Sequence, residues 1–152
     1  MSTIDRVARH LDTLGLRYRQ GNATTLVLGF TGDNTSYEVQ LTGHGPLVSL
    51  LAMTSLVVPE RRVDEAVRLV NWLNATRLRW GCFWIHPKSR HLAFELAIVA
   101  PDELSQDQIA LALGAVPFDR FYPAIAKVIW ANCSVAEALD EAANDDSTDL
   151  AV

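Results

Sequence analysis

The side chains that could do chemistry are few, and they gather around one stretch. Cys82 and His86 stand four apart in WGCFWIH, so an extended strand would put them on one face. His91 opens the next apolar run, HLAFELAIV. Thiolate and imidazole are zinc ligands, and the three are a conceivable zinc site. A structural zinc site closes with four ligands, and no fourth residue completes this set. The histidines are therefore read as marking the two ends of a hairpin, and no metal or cofactor is expected. Arg77, Arg79, Lys88 and Arg90 straddle the same stretch with aromatics between them. That interleaving is what a single-stranded RNA platform uses. The chain as a whole has 13 Lys and Arg against 18 Asp and Glu, a formal charge of −5. An acidic chain disfavours nucleic acid and anionic membrane as partners. The four cations instead suit a strand edge that resists edge-to-edge pairing.

Other catalytic patterns are missing. The sequence has no Gly-x-Ser-x-Gly elbow, no P-loop and no dinucleotide fingerprint. Gly43-His44-Gly45 looks like part of a glycine-rich loop, but it lies between two strand patterns and reads as a turn. The expectation is a protein that is not an enzyme. Two cysteines, Cys82 and Cys133, are too few for a disulfide framework in 152 residues and read as reduced thiols. The first fifteen residues carry Asp5, Arg6, Arg9 and His10 and no continuous apolar core, so no signal peptide is read there. The run Leu47 to Val58 is too short to span a bilayer. A cytoplasmic location is expected.

The elements that must position these residues follow from periodicity. Ile4, Val7, Ala8, Leu11 and Leu14 predict an amphipathic helix that Gly15 stops. Leu16 to Gln20 reads as a short strand closed by Gly21-Asn22. Thr25 to Phe30 and Ser36 to Thr42 read as strands separated by Thr31-Gly32-Asp33-Asn34. Gly43 to Pro46 is the next turn. Leu47 to Val58 is apolar on both faces, so it is either covered on both sides or its second face meets another chain. Pro59 leads into a helix, VDEAVRLVNWLNA, although Arg61 and Arg62 oppose its dipole. The hairpin WGCFWIH, PKSR, HLAFELAIV follows, with Trp80, Cys82, Trp84 and His86 expected on one face. Capping boxes at Ser105–Gln108 and Ser134–Glu137 start helices, and Pro117 stops or kinks the first of them. Phe118, Phe121, Tyr122, Ile125, Val128 and Ile129 give the strongest helical stripe.

The fold class predicted is α+β: an antiparallel β-sheet with helices packed on it, in the order α-β-β-β-β-α-β-β-α-α. One domain is expected over residues 1–143. The acidic residues 144–152 are read as a disordered tail.

Trp72, Trp80 and Trp84, with Phe94 and the two-faced strand at Leu51, give more large apolar surface than one small domain needs. These five are the candidate protein-binding residues. The expected partners are a second copy of the chain, as a homodimer, and another polypeptide segment. The competing reading is a small-molecule pocket between the sheet and the helix from Phe118.

The block VNWLNATRLRWGCFWIHPKSRHLAFELAIV, with FDRFYPAIAKVIW after it, resembles the YbjN-type domain of bacterial proteins. The resemblance runs from about Ile4 to Ala142 and is carried by apolar positions around Asn71, Asn74 and the strands. It implies a fold like that of type III secretion chaperones, and a chaperone-like module that binds polypeptides and dimerises. The YbjN group is labelled as sensory transduction regulators, so the resemblance also implies a regulatory or stress-related role. It carries over no catalytic residues.

Overall fold

In the computed structural model, which describes residues 1–99 and 104–146, the chain opens with α1 (Thr3–Thr13). Ser2 caps it: the Ser2 hydroxyl accepts the Asp5 N–H, and the Asp5 carboxylate accepts the Ser2 N–H at 2.9 Å. Gly15, at φ 69°, turns the chain out of the helix. Four strands follow: β1 (Arg19–Asn22), β2 (Thr25–Thr31), β3 (Ser36–His44) and β4 (Leu47–Val57). A single 3-10 turn at Glu60–Arg62 leads into α2 (Val63–Thr76). The hairpin is β5 (Cys82–Ile85) and β6 (His91–Val99). Three helices complete the chain: α3 (Gln106–Gly114), α4 (Phe118–Trp130) and α5 (Val135–Asp146).

The six strands form one sheet in the order β1-β2-β3-β4-β6-β5, each antiparallel to its neighbours. The antiparallel α+β class read from the sequence is therefore the observed one. The crossover through α2 lets β6 pair with β4 and leaves β5 on the outer edge. The core lies on one face of this sheet. Val7 and Leu11 of α1, Leu69 and Leu73 of α2, and Val128 of α4 join Leu41, Leu50 and Phe94 in a single buried cluster. Phe83 stands edge-on to Phe94, Phe118 and Phe121, with ring centroids 5.6, 5.4 and 6.4 Å away. These rings fill the space between the sheet and α4, where the competing small-molecule reading placed its pocket.

Strand β4 settles the ambiguity of its sequence in part. Val48, Leu50, Ala52 and Thr54 are buried under the helices, while Ser49, Leu51 and Met53 are half-buried on the other face. No described helix covers that second face.

Several boundaries differ from the expectation for local reasons. The β1–β2 turn is Ala23-Thr24, two residues later than read, because the Asn22 side chain accepts the Thr24 N–H at 2.9 Å and closes the turn there. Gly21 lies instead within β1, where the register slips between Gln20 and Asn22. Gly43 and His44 belong to β3. Only Gly45-Pro46 turns, with Gly45 at φ 56°. Pro117 does not kink one helix but separates two, so three helices follow the hairpin rather than two. Residues 106–130 are long and apolar enough by composition to cross a bilayer, yet they are helices of 9 and 13 residues, each shorter than a span needs. Arg62 serves α4, not α2: its guanidinium donates to the Val128 carbonyl at 2.8 Å and to the Cys133 carbonyl at 3.1 Å. Helix α5 runs to Asp146, so residues 144–146 are helical and not tail, and residues 147–152 lie outside the described ones.

The first turn of α4 also holds the β2–β3 turn. The Asp119 carboxylate accepts the backbone N–H groups of Asn34, Thr35 and Asp33 at 2.7, 3.1 and 3.2 Å. Gly32 makes room for it, since a Cβ there would lie 2.3 Å from the Asp119 carboxyl group. The bonds from Asn34, then Thr35 and Asp33, hold the Asp119 carboxyl below the usual carboxylate range. A lowered folded-state pKa stabilises the fold above the ordinary carboxylate range and ceases to do so as pH falls through the folded value. Asp119→Asn is therefore expected to lower the melting temperature at neutral pH, with the gap to wild type closing in strong acid. Calorimetry across that range checks it; a gap independent of pH would remove the clamp.

Candidate functional site

Strand β5 has 4 residues and β6 has 9, and the mismatch shapes the surface. The pairing runs from Ile85↔Leu92 to Cys82↔Glu95 and stops. Gly81 is the reason. It sits at φ 71°, and a Cβ there would meet the Phe94 ring at 2.5 Å and the Glu95 carbonyl oxygen at 2.6 Å. Only glycine fits a left-handed turn pressed this closely onto a neighbouring strand. The chain before it leaves the sheet, and Trp80 is carried off the alternation expected for Trp80, Cys82, Trp84 and His86.

The outer edge of β5 is closed in a different way. The Asn74 side chain donates to the Phe83 carbonyl at 2.9 Å and accepts the Phe83 N–H at 2.8 Å. It occupies the place of a further strand, which blunts the edge. Asn74 lies in the last turn of α2, so the fork also fixes the helix against the hairpin.

Beyond Cys82, a groove of about 680 Å³ opens between the far half of β6 and α3. Leu96, Ile98, Val99, Leu111, Ala112 and Trp80 line it, with Arg79, Glu95 and Gln108 at its walls. Trp80 is 56% exposed, Leu111 56% and Val99 66%. Large apolar side chains left in water together mark an interaction surface more often than isolated ones do.

The five candidate residues fall in four places. Trp80 lines the groove. Trp84 and Leu51 lie on the uncovered sheet face, where Trp84 pairs with Ala93 and Ala93 with Met53. The Trp84 indole N–H is withdrawn from water and has no partner among the described residues. Trp72 packs half-buried on α2, with the Arg77 guanidinium 5.3 Å from its ring centroid. Phe94 is a correction: it is fully buried beneath the helices, because β6 points its even-numbered side chains inward. It supports the surface but cannot touch a partner. Leu111 and Val99 were missed. Leu111 stands outside the Ile109–Ala112–Leu113 stripe of α3, and a leucine on the side of a helix that should be wet was the available signal.

The chemical candidates resolve into structural roles. His86 Nδ1 lies 3.2 Å from the Lys88 backbone nitrogen and 3.1 Å from that of Ser89, and accepts both N–H groups to close the hairpin turn. Arg90, at φ 58°, donates to the Val58 carbonyl at 3.0 Å. Among the described residues, no three His, Cys, Asp or Glu side chains gather as a metal site, and both cysteines are free.

The whole-chain pattern agrees with a known family. Residues 3–127 match the YbjN family model, described as "Putative bacterial sensory transduction regulator". The chain belongs to the YbjN family. No curated protein matches the sequence. Among solved structures, the crystal structure of YbjN from E. coli, described as "a putative transcription regulator", is similar with a TM-score of 0.58. It is 15% identical, over 85% of this chain and 90% of that one. At that identity the likeness establishes the YbjN fold and nothing of the site.

The division between core and surface in this YbjN domain is testable. Phe94→Ala is expected to cost about 3–5 kcal/mol, since its whole ring leaves the core. Trp80→Ala is expected to cost about 1 kcal/mol, because about half of its ring is already in water. Urea unfolding of the two variants measures both; equal losses would place Trp80 in the core.

Proposed function

We propose that this YbjN-family chain is a non-catalytic, chaperone-like regulatory module that binds another polypeptide and works as a cytoplasmic homodimer. The observation that carries the reading is the open groove with Trp80, Val99 and Leu111 exposed around it. A groove of this kind gains most from burying aromatic and aliphatic side chains of a partner. The family description as a regulator is in keeping with a protein that acts by binding. The free thiols Cys82 and Cys133 suit a reducing compartment. Self-association draws on the second sheet face, where Leu51, Met53 and Trp84 are only half-buried in one chain. Covering that face with a second copy would remove apolar surface from water symmetrically.

The two parts separate experimentally. Sedimentation of the purified protein is expected to give a dimer, and Leu51→Glu a monomer of unchanged fold; a monomeric wild type ends the homodimer. For the partner, proteins captured from the host lysate are identified and remade, and their affinity is measured directly. Trp80→Ala is expected to weaken a genuine partner by roughly tenfold or more, the loss typical of a central aromatic anchor. Partners indifferent to both Trp80→Ala and Leu111→Asp would remove the groove from the mechanism.

A further inference from the structure

We infer that the groove beside Trp80 takes its partner as an added β-strand, an extended segment that pairs with β6 at Ala97 and Val99. The inference rests on the polypeptide-binding reading above and specifies how that binding is made. The His86 N–H donates to the His91 carbonyl at 2.9 Å, so His91 points its backbone groups toward β5. Backbone direction alternates along an antiparallel strand, and the β5–β6 pairing has no register slip. Ala93, Glu95, Ala97 and Val99 therefore point the same way. β5 reaches only Glu95, and on the other side β6 is paired with β4 as far as Leu47↔Val99. The N–H and C=O groups of Ala97 and Val99 thus face the groove, and among the described residues no strand lies beside them.

Four backbone groups in a row are complementary to an extended backbone and to little else. Side-chain geometry then sets the occupant's sequence. A residue of the added strand opposite Ile98 points to the helix side, toward Leu111 and Ala112, and should be apolar. The residue opposite Ala97 shares the uncovered face with Glu95, which is exposed. A Lys or Arg there would meet a carboxylate on a chain whose formal charge is −5. Arg79 also lines the groove, so a cation placed away from Glu95 would meet a like charge. The occupant is an extended segment alternating aliphatic and basic residues.

The probe is a fluorescein-labelled peptide of alternating Val and Lys, with two controls: the same peptide N-methylated at alternate residues, and a Val/Glu version. In the free protein, the amides of Ala97 and Val99 should exchange with solvent rapidly while those of Leu96 and Ile98 are protected. Adding the Val/Lys peptide should slow exchange at Ala97 and Val99. The N-methylated and Val/Glu peptides should bind at least tenfold more weakly, as should Ala97→Pro, which removes one edge donor without touching the β4 pairing. Leu111→Asp, on an exposed helix position, keeps the test independent of whether Ala97→Pro folds. Protected Ala97 and Val99 amides in the free protein overturn strand addition, as does a failure of the Val/Lys peptide to bind at millimolar concentration. Equal binding of the N-methylated peptide overturns it too while leaving a polypeptide-binding groove in place. Loss of a genuine partner's dependence on Trp80 is what would instead overturn the underlying reading.

Discussion

One close approach governs the functional half of this molecule: Gly81 against the Phe94 ring and the Glu95 carbonyl. The contact leaves no room for a Cβ, and the left-handed backbone at Gly81 turns the chain away from the sheet. Strand β5 ends there, four residues before β6 does. Had the chain stayed extended through Trp80, the pairing would continue along β6 to Ala97 and Trp80 would lie on the uncovered face beside Cys82. Instead a short piece of sheet edge is left without a strand beside it among the described residues, and an indole is delivered there. The edge and the aromatic are consequences of the same backbone turn.

Asn74 gives this arrangement its asymmetry. A sheet has two outer edges, and an unguarded edge invites pairing with any extended chain. On β5 the Asn74 amide supplies both a donor and an acceptor to Phe83 and closes the edge without adding a strand. No equivalent side chain reaches β6 beyond Glu95 among the described residues. The protein thus guards one stretch of edge with a dedicated amide and leaves the adjoining one lined by apolar side chains.

Much of the fold could be read from the residues because its determinants are local. The Ser105 and Ser134 capping boxes each work within four residues, and both helices begin where the sequence places them. The strict alternation in Ser36–Thr42 and the apolar stripe after Phe118 also survive unchanged. What escaped depends on contacts distant in sequence. Gly81 looks like an ordinary strand glycine until Phe94 and Glu95 are set beside it. Asp119 has no visible partner until α4 lies across the β2–β3 turn, 84 to 86 residues away in the chain. Arg62 appears misplaced at the start of α2 until the end of α4 is seen within its reach.

The same logic explains why the aromatic block was informative about packing and only partly about surface. Trp72, Trp80, Trp84, Phe83 and Phe94 occur within 23 residues, and composition alone cannot divide them between inside and outside. Strand alternation sends Phe83 and Phe94 under the helices and Trp84 to the opposite face. The break at Gly81 exempts Trp80 from alternation altogether. A sheet packed on one face only has two kinds of apolar residue, those that hold it together and those it leaves available. Among the second kind are two patches, the Leu51–Met53–Trp84 face and the groove of Trp80, Val99 and Leu111. They are built differently. The first offers side chains alone and favours a matching flat surface, whereas the second adds unpaired backbone and favours an extended chain.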